Sequence, residues 1–307
     1  MSEFSQLLPQ ELINMVGRLE FLARRAKEGT VNGRHTSPHK GFSVEFAEHR
    51  QYVRGDDLRN LDWRVYGKVD RYYIKQYIEE TNMRVTILVD ASGSMNYVGD
   101  EASSLGNTKS LSKFEYARYL ASALTYLFIR QQDAVGLVTF ADGIKKYLQP
   151  AAKPSQVRLV LEELLETETG ADTRCAETFH EIAERIPARG LVIILSDMFD
   201  DAEKLKKALH HFRWRHHEVV VFHMMAEEEL TFPFKKFDDF RCLEVEGRRL
   251  NIDPATIRAS YLERVQAHLK SIEETCGQME ADYVPINTKT PVEQALYTYF
   301  TQRNAGR

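Results

Sequence analysis

Residues 87–95 read ILVDASGSM, an aliphatic run that ends in an aspartate followed by serines at alternate positions. Asp90, Ser92 and Ser94 place one carboxylate and two hydroxyl oxygens on a short stretch of chain. Ala91 and Gly93 between them are small enough for a tight turn. Such oxygen donors suit a hard divalent cation, above all Mg²⁺, which takes oxygens octahedrally and usually keeps some of its waters. Mn²⁺ accepts the same donors. A second aliphatic run, VIILSDMFDD, ends in Asp197, and the stretch TGADTRCAE (169–177) offers Thr173, with Thr169 as the spare hydroxyl. The competing reading is a cap, because aspartate after a strand commonly accepts backbone N–H groups of the following turn or helix. Capping accounts for Asp197 as readily as a metal does. It accounts less well for three oxygen-bearing side chains spaced two apart.

The elements around these residues decide whether they can meet. A helix is expected from Pro9 to Lys27, then a loop over 30–41, a charge-dense stretch over 42–63, and a strand within 70–82. From Met83 the pattern becomes strand–helix alternation. Aliphatic strands are expected over 84–92, 134–142, 190–197 and 217–225, with helices over 113–131, 155–166, 175–186 and 201–215. A hairpin turning at Glu246-Gly247 is followed by a long helix from Pro254 to Cys276, the stretch ADYVPINT and a terminal helix from Pro291. Continuous aliphatic strands separated by amphipathic helices predict a doubly wound α/β domain, its mostly parallel sheet covered on both faces. The expected division is an accessory region over 1–82 and this domain over 83–307, with a short insertion near 228–253. Ligands of such sheets bind outside the carboxyl ends of the strands. Asp90 and Asp197 meet there if both strands are central.

A chain of 307 residues is long enough for one large domain and a smaller one. Its net charge of −4 argues against generic nucleic-acid binding. Cys175, Cys242 and Cys276 are far apart and odd in number, without metal-knuckle or disulfide-framework spacing, which suits a reducing compartment. The most apolar stretch, GLVIILSDM, is too short to span a bilayer, and the N-terminus lacks a basic-then-apolar signal pattern. A cytoplasmic location is the expectation.

DASGS matches the Asp-x-Ser-x-Ser signature of the metal-ion-dependent adhesion site of von Willebrand factor A domains. Upstream, RQYVRGDDLRNLDW fills every position of an Arg-x-Tyr-x-x-Gly-Asp-Asp-x-Arg-x-x-Asp-Trp element. With the later stretches IDPATIRASYLERVQAHL and YVPINTKTPVEQALYTYFTQR, the chain closely resembles the bacterial domain-of-unknown-function family 58, a von Willebrand factor A-like family. The resemblance implies Asp90, Ser92 and Ser94 as ligands from a first loop, Thr173 from a second and Asp197 from a third. Family loops are usually Gly-Gly-Thr-like, whereas this chain has Gly170-Ala171-Asp172-Thr173. That leaves open whether Thr173 or Asp172 coordinates, or whether Asp172 caps the helix. The resemblance also implies a metal-dependent adaptor or co-chaperone partnered with a MoxR-type AAA+ ATPase and a client protein. Many relatives carry membrane anchors; no span is visible here.

Other patterns are weighed against plainer readings. In GDDLRNLDW, Asp56, Asp57 and Arg59 form either a second partner surface or an intramolecular Arg–Asp network with Trp63, and the second is favoured. His210 and His217 fall two turns apart if one helix carries both, which suggests zinc; a solvated helix end is the plainer reading. A Mg²⁺-dependent phosphoryl hydrolase is the enzymatic alternative. It would want an acid two residues after Asp90, where Ser92 stands, and no phosphate-binding loop or nucleophile elbow is present. The expectation is a non-enzymatic binding module; a scaffold with an empty metal site is the third option.

Overall fold

Two chain segments with different residue patterns produce two kinds of sheet. The structure is a computed structural model that describes residues 7–17, 19, 44–54, 58, 61–79, 83–99, 111–170, 175–234, 238–243 and 249–305. One compact unit is Ala23–Asn82; the other joins Met1–Leu22 to Met83–Arg307. Helix α1 (Gln10–Val16) follows Pro9 and buries Leu12 and Val16. Read from sequence with the accessory region, it belongs to the larger unit, where the Gly17 carbonyl accepts from the Arg130 guanidinium.

In the smaller unit β1 (Val44–Gln51), α2 (Trp63–Val69) and β2 (Tyr73–Glu79) are described. β1 and β2 pair antiparallel, with a register shift between Phe46 and Glu48. Asp62 caps α2: one carboxylate oxygen accepts from the N–H groups of Arg64 and Val65, at 2.9 and 3.3 Å. The other lies 2.9 Å from His49 Nε2 on β1. The Asp-Trp pair that ends the upstream motif is therefore a helix start. Trp63 packs edge-on to Tyr66, which stacks on Tyr72 at 4.6 Å. Asp56, Asp57 and Arg59 lie outside the described residues, as do residues 30–41.

The larger unit runs β3 (Arg84–Asp90), α3 (Lys113–Arg130), β4 (Ala134–Phe140), β5 (Ile144–Ala151), α4 (Ser155–Glu166), α5 (Cys175–Arg185) and β6 (Leu191–Ser196). It continues with α6 (Ala202–Trp214), β7 (Glu218–Met225), α7 (Glu227–Thr231), β8 (Asp238–Arg241), β9 (Arg249–Ile252), α8 (Pro254–Gln278), β10 (Asp282–Asn287) and α9 (Val292–Ala305). β8 and β9 pair as an antiparallel ribbon; the Glu246-Gly247 turn expected between them lies outside the described residues.

The main sheet has the order β10-β7-β6-β3-β4-β5, parallel except for β5. Counted in chain order within the sheet, its strands read 3-2-1-4-5-6. Strands fully buried along their length, such as Leu191–Ser196, need helices on both faces. On one face α5, α6 and α8 supply Phe179, Phe212 and Ile272 to a core with Val138, Ile194 and Val221. On the other, α1, α3, α4 and α9 pack, and Tyr299 of α9 meets Phe222 of β7 edge-on at 5.2 Å. This is the doubly wound, mostly parallel α/β fold expected from the sequence.

β5 is the strand the sequence pattern did not yield. Its IKKYLQPA carries two lysines and a proline, which only an edge strand tolerates. It joins β4 antiparallel with register shifts between Val135 and Leu137 and between Thr139 and Phe140. Gly136 of β4 is what permits the approach. A Cβ there would sit 2.7 Å from the Leu148 carbonyl oxygen and 2.9 Å from the Pro150 ring. Gly136→Ala is expected to destabilise the fold by about 1–3 kcal/mol, since backbone rather than a flexible side chain must give way. A urea-unfolding midpoint equal to the parent's would show that the edge strand does not depend on this contact.

Candidate metal centre

The strand order reverses between β3 and β6, and in open sheets the crevice at such a reversal receives the ligand. Val89 pairs with Leu195, so Asp90 and Ser196 end adjacent strands side by side, with Asp197 following. Both carboxylates are fully buried. Of the residues expected at the site, the structure brings Asp90, Ser92, Ser94 and Asp197 to this one edge. Thr173 and Asp172 lie outside the described residues; the second loop is tied in just before them, where the Gly170 N–H donates to the Ala91 carbonyl at 3.1 Å.

The first loop folds back on its own aspartate. The Ser92 N–H donates to Asp90 Oδ1 at 2.9 Å, and the Ser92 and Ser94 hydroxyl oxygens lie 3.1 Å apart. Ser196 contributes what the sequence reading missed. Its hydroxyl donates to Asp90 Oδ2 at 2.6 Å and accepts from the Met198 N–H at 2.9 Å. That second bond closes the turn after β6, in which buried Met198 takes a left-handed conformation (φ 52°) unusual for a side chain of its size. The functional sign in the sequence was Ser196 itself, a hydroxyl at the end of an otherwise aliphatic strand.

Asp197 has a cationic neighbour. Lys113, the first residue of α3 and 1% exposed, donates from Nζ to Asp197 Oδ2 and to Glu229 Oε1 of α7, each at 2.8 Å. The Phe199 N–H lies 3.4 Å from Asp197 Oδ1, and the Phe199 ring lies under the ammonium, 5.7 Å from it. Burial works against the Lys113 charge, but Asp197 and Glu229 outweigh it and hold its pKa above the ordinary value. The sequence carried a faint signal here: a lysine at the first turn of a helix opposes the helix dipole and needs a carboxylate nearby. Close by, buried His223 contacts the Tyr283 hydroxyl through Nδ1 at 3.0 Å, and burial lowers its pKa to about 4, so the ring is neutral at pH 7.

The donor chemistry fits a hard dication. Every oxygen of the first loop is a carboxylate or hydroxyl, and the 3.1 Å between the serine oxygens is close to the edge of an octahedron whose metal–oxygen bonds are about 2.1 Å, an edge of about 3 Å. Among the described residues no group of three or more His, Cys, Asp or Glu side chains gathers as a metal site. The candidate centre therefore depends on hydroxyls. A groove of about 730 Å³ is lined by Asn96, Val98, Ser112, Arg118, Glu166 and Thr169 among others, residues that follow the first loop and precede the second; none of Asp90, Ser92, Ser94 and Asp197 lines it.

The histidine run is placed differently from the zinc reading. α6 ends at Trp214, so His210 and His217 do not share a helix. His217 is buried and accepts from the Gly190 N–H through Nδ1, while His211 meets His180 of α5 with their Nδ1 atoms 3.1 Å apart.

Burial first, and then the charge of Asp197, raise the Asp90 pKa from 3.8 to about 6, against the opposing bonds from Ser196 and Ser92. Between these values the folded chain holds a proton that the unfolded chain releases. The stability tied to Asp90 is thus full below pH 3.8 and lost as pH rises through about 6, a loss of at most about 3 kcal/mol. In EDTA at pH 7.5, Asp90→Asn is expected to melt higher than the parent by roughly 4–8 °C, with the difference closing near pH 4. Equal melting temperatures across that range would mean that the carboxylate is not destabilised by its surroundings.

Among solved structures the chain is similar to an aerotolerance-related membrane protein from Bacteroides fragilis, with 16% identity and a TM-score of 0.45 over 72% of this chain and all of that one. BatB from Bacteroides thetaiotaomicron shares 18% identity with a TM-score of 0.40, covering 72% of this chain and all of that one. The SpRpn10 VWA domain shares 13% identity with a TM-score of 0.38, covering 70% of this chain and 94% of that one. Uncharacterized proteins of Mycobacterium tuberculosis (Rv1480) and Mycobacterium bovis (Mb1516) are each 23% identical over 295 residues, spanning 94% of this chain and 88% of theirs. Among the described residues no helix is long and apolar enough to cross a membrane. Residues 48–271, well over half of the sequence, match the family described as "Protein of unknown function DUF58", and the chain belongs to that family.

Proposed function

We propose that the chain is a non-enzymatic, metal-dependent protein-interaction module, an adaptor or co-chaperone working with a MoxR-type AAA+ ATPase and a client protein. The observation that carries the reading is the meeting of Asp90, Ser92, Ser94 and Asp197 at the sheet's reversal point, with the two hydroxyl oxygens 3.1 Å apart. Asp90, Ser92 and Ser94 would hold Mg²⁺ or Mn²⁺, with Thr173 from the second loop and Asp197 from the third, the last through water. The ion, when bound, supplies a position at which an acidic side chain of the partner coordinates. The chain's own residues keep that position oriented: Ser196 fixes the Asp90 carboxylate, and the Ser92 N–H fixes its loop.

The arrangement suits binding more than turnover. No acid stands two residues beyond Asp90, where a phosphoryl hydrolase would want its proton-transfer group; Ser92 stands there, bonded to Ser94 and to Asp90 itself. Asp56, Asp57 and Arg59 are a second candidate surface on the same reading. A cytoplasmic setting, where an ATPase partner has its nucleotide, belongs to the proposal as well.

Two measurements test this. Mg²⁺ at about a hundred times its Kd is expected to raise the melting temperature by about 5 °C, an effect absent in Asp90→Ala. From a lysate of the native host, the tagged chain is expected to retain a MoxR-type ATPase in Mg²⁺, to release it in EDTA, and to lose it in Asp90→Ala. Retention that ignores both EDTA and the substitution would move the partner surface away from the metal. Phosphatase turnover that disappears in Asp90→Asn would replace the adaptor with an enzyme.

A further inference from the structure

The Lys113 ammonium is the one feature of this crevice that a simple metal site does not call for. It is enclosed, charged, and shared between two carboxylates that belong to different elements, Asp197 after β6 and Glu229 on α7. Helix starts disfavour cations, and burial disfavours any ammonium, so the position is held by those two partners. Glu229 is itself fixed, because its other oxygen accepts from the Ala226 N–H at 2.8 Å in the cap of α7. Of the neighbouring groups, Glu228 has Lys289 at 3.7 Å, His223 is neutral, and Asp90, which repels Asp197, is held by Ser196 and Ser92. The Asp197 carboxylate that accepts from Lys113 at 2.8 Å is turned toward the ammonium and has its charge already paired there, so a dication must compete with the lysine for it. Lys113 nevertheless has a second carboxylate at the same distance, so it stays paired if Asp197 turns away.

We propose that Lys113 is a built-in competitor for the third-loop ligand: it withholds Asp197 from a divalent cation held by the Asp90 loop, and yields it by retreating to Glu229. This rests on reading the Asp90 loop as a divalent-cation site and adds how that site is regulated. With Asp197 withheld, the native centre takes the ion weakly and leaves an anionic ligand to be supplied by a partner's acidic side chain. Loss of Lys113 makes the centre self-sufficient, with tighter metal binding and less need of the partner.

The test is calorimetric titration of the full chain with MgCl₂ after treatment with EDTA and its removal, on the parent, Lys113→Met, Asp197→Asn, the double variant of these, and Glu229→Gln. Lys113→Met is expected to bind Mg²⁺ about tenfold tighter or better. Asp197→Asn is expected to cost less than about threefold in the parent and more than about tenfold beside Lys113→Met, a coupling that a double-mutant cycle reads directly. If Lys113→Met does not fold, Glu229→Gln carries the test: it leaves Lys113 to Asp197 alone and is expected to weaken Mg²⁺ about threefold or more. Unchanged affinity in Lys113→Met or, failing that, in Glu229→Gln overturns the competitor role, as does an equal cost of Asp197→Asn in both backgrounds. The two readings fail differently. Mg²⁺ binding that appears only when Lys113 is replaced upholds the competitor and removes metal dependence from the native chain. Binding in the parent that ignores Lys113 upholds metal dependence and removes the competitor. No binding in any variant overturns both.

Discussion

Two fully buried carboxylates side by side at the end of β3 and β6 are the constraint to which this crevice answers. Each carries a desolvation cost of several kcal/mol that the surrounding groups must offset. The offsets are specific: a serine hydroxyl and a backbone N–H on Asp90, an ammonium on Asp197. They come from three separate stretches of chain, the β3 loop, the end of β6 and the start of α3, and α7 adds the second carboxylate that holds the ammonium. The reversal of strand order brings those stretches together. In a sheet wound in one direction only, helix connections would cover the strand ends that here stay open.

The opposite end of the sheet shows what a purely structural ion cluster looks like in the same molecule. Arg303 of α9 pairs with Glu218 at the start of β7 and Asp282 at the start of β10, fastening the last helix across the strands. Those carboxylates keep 12% and 13% of their side-chain surface, and the guanidinium presents a planar fork suited to several acceptors. At the carboxyl end the acids are wholly enclosed, the cation is a lysine, and hydroxyls stand beside the carboxylate. Arginine and partly wet acids serve fastening; enclosed acids, hydroxyls and a compact ammonium are the arrangement on which the proposed metal site rests.

Much of this was legible in the sequence. Uninterrupted aliphatic runs such as LVIIL and VVVF gave the parallel strands, and the spacing of DASGS gave the first loop of the site. The reversal point followed from the fold, not from any local pattern. β5 was hidden because an edge strand has no need of an apolar run, and its lysines and Pro150 read as loop. Ser196 was hidden because a serine directly before a strand-end aspartate reads as ordinary turn chemistry. Lys113 and Glu229 lie 116 positions apart, and their pairing is a product of packing α7 against the start of α3. No sequence window contains it. The zinc pairing of His210 with His217, the less favoured reading, lacks its geometry for a simple reason: the helix stops at Trp214, and the second histidine turns inward to accept from the Gly190 N–H.

The burial that makes the site costly also makes it selective. A hydroxyl pair beside an enclosed carboxylate offers little to a soft or nitrogen-seeking metal and little to a monovalent ion, whose charge would not repay removal from water. The same enclosure limits what a partner can present, because an extended carboxylate reaches such a crevice where a bulky or cationic group does not. Lys113 sharpens the limit further. On the proposed reading, while it holds Asp197 the anionic ligand missing from the centre would come from outside, and metal affinity would become partner affinity by linkage. A module built this way needs no large apolar interface to be specific. On that reading its specificity would lie in the carboxylate that Lys113 withholds.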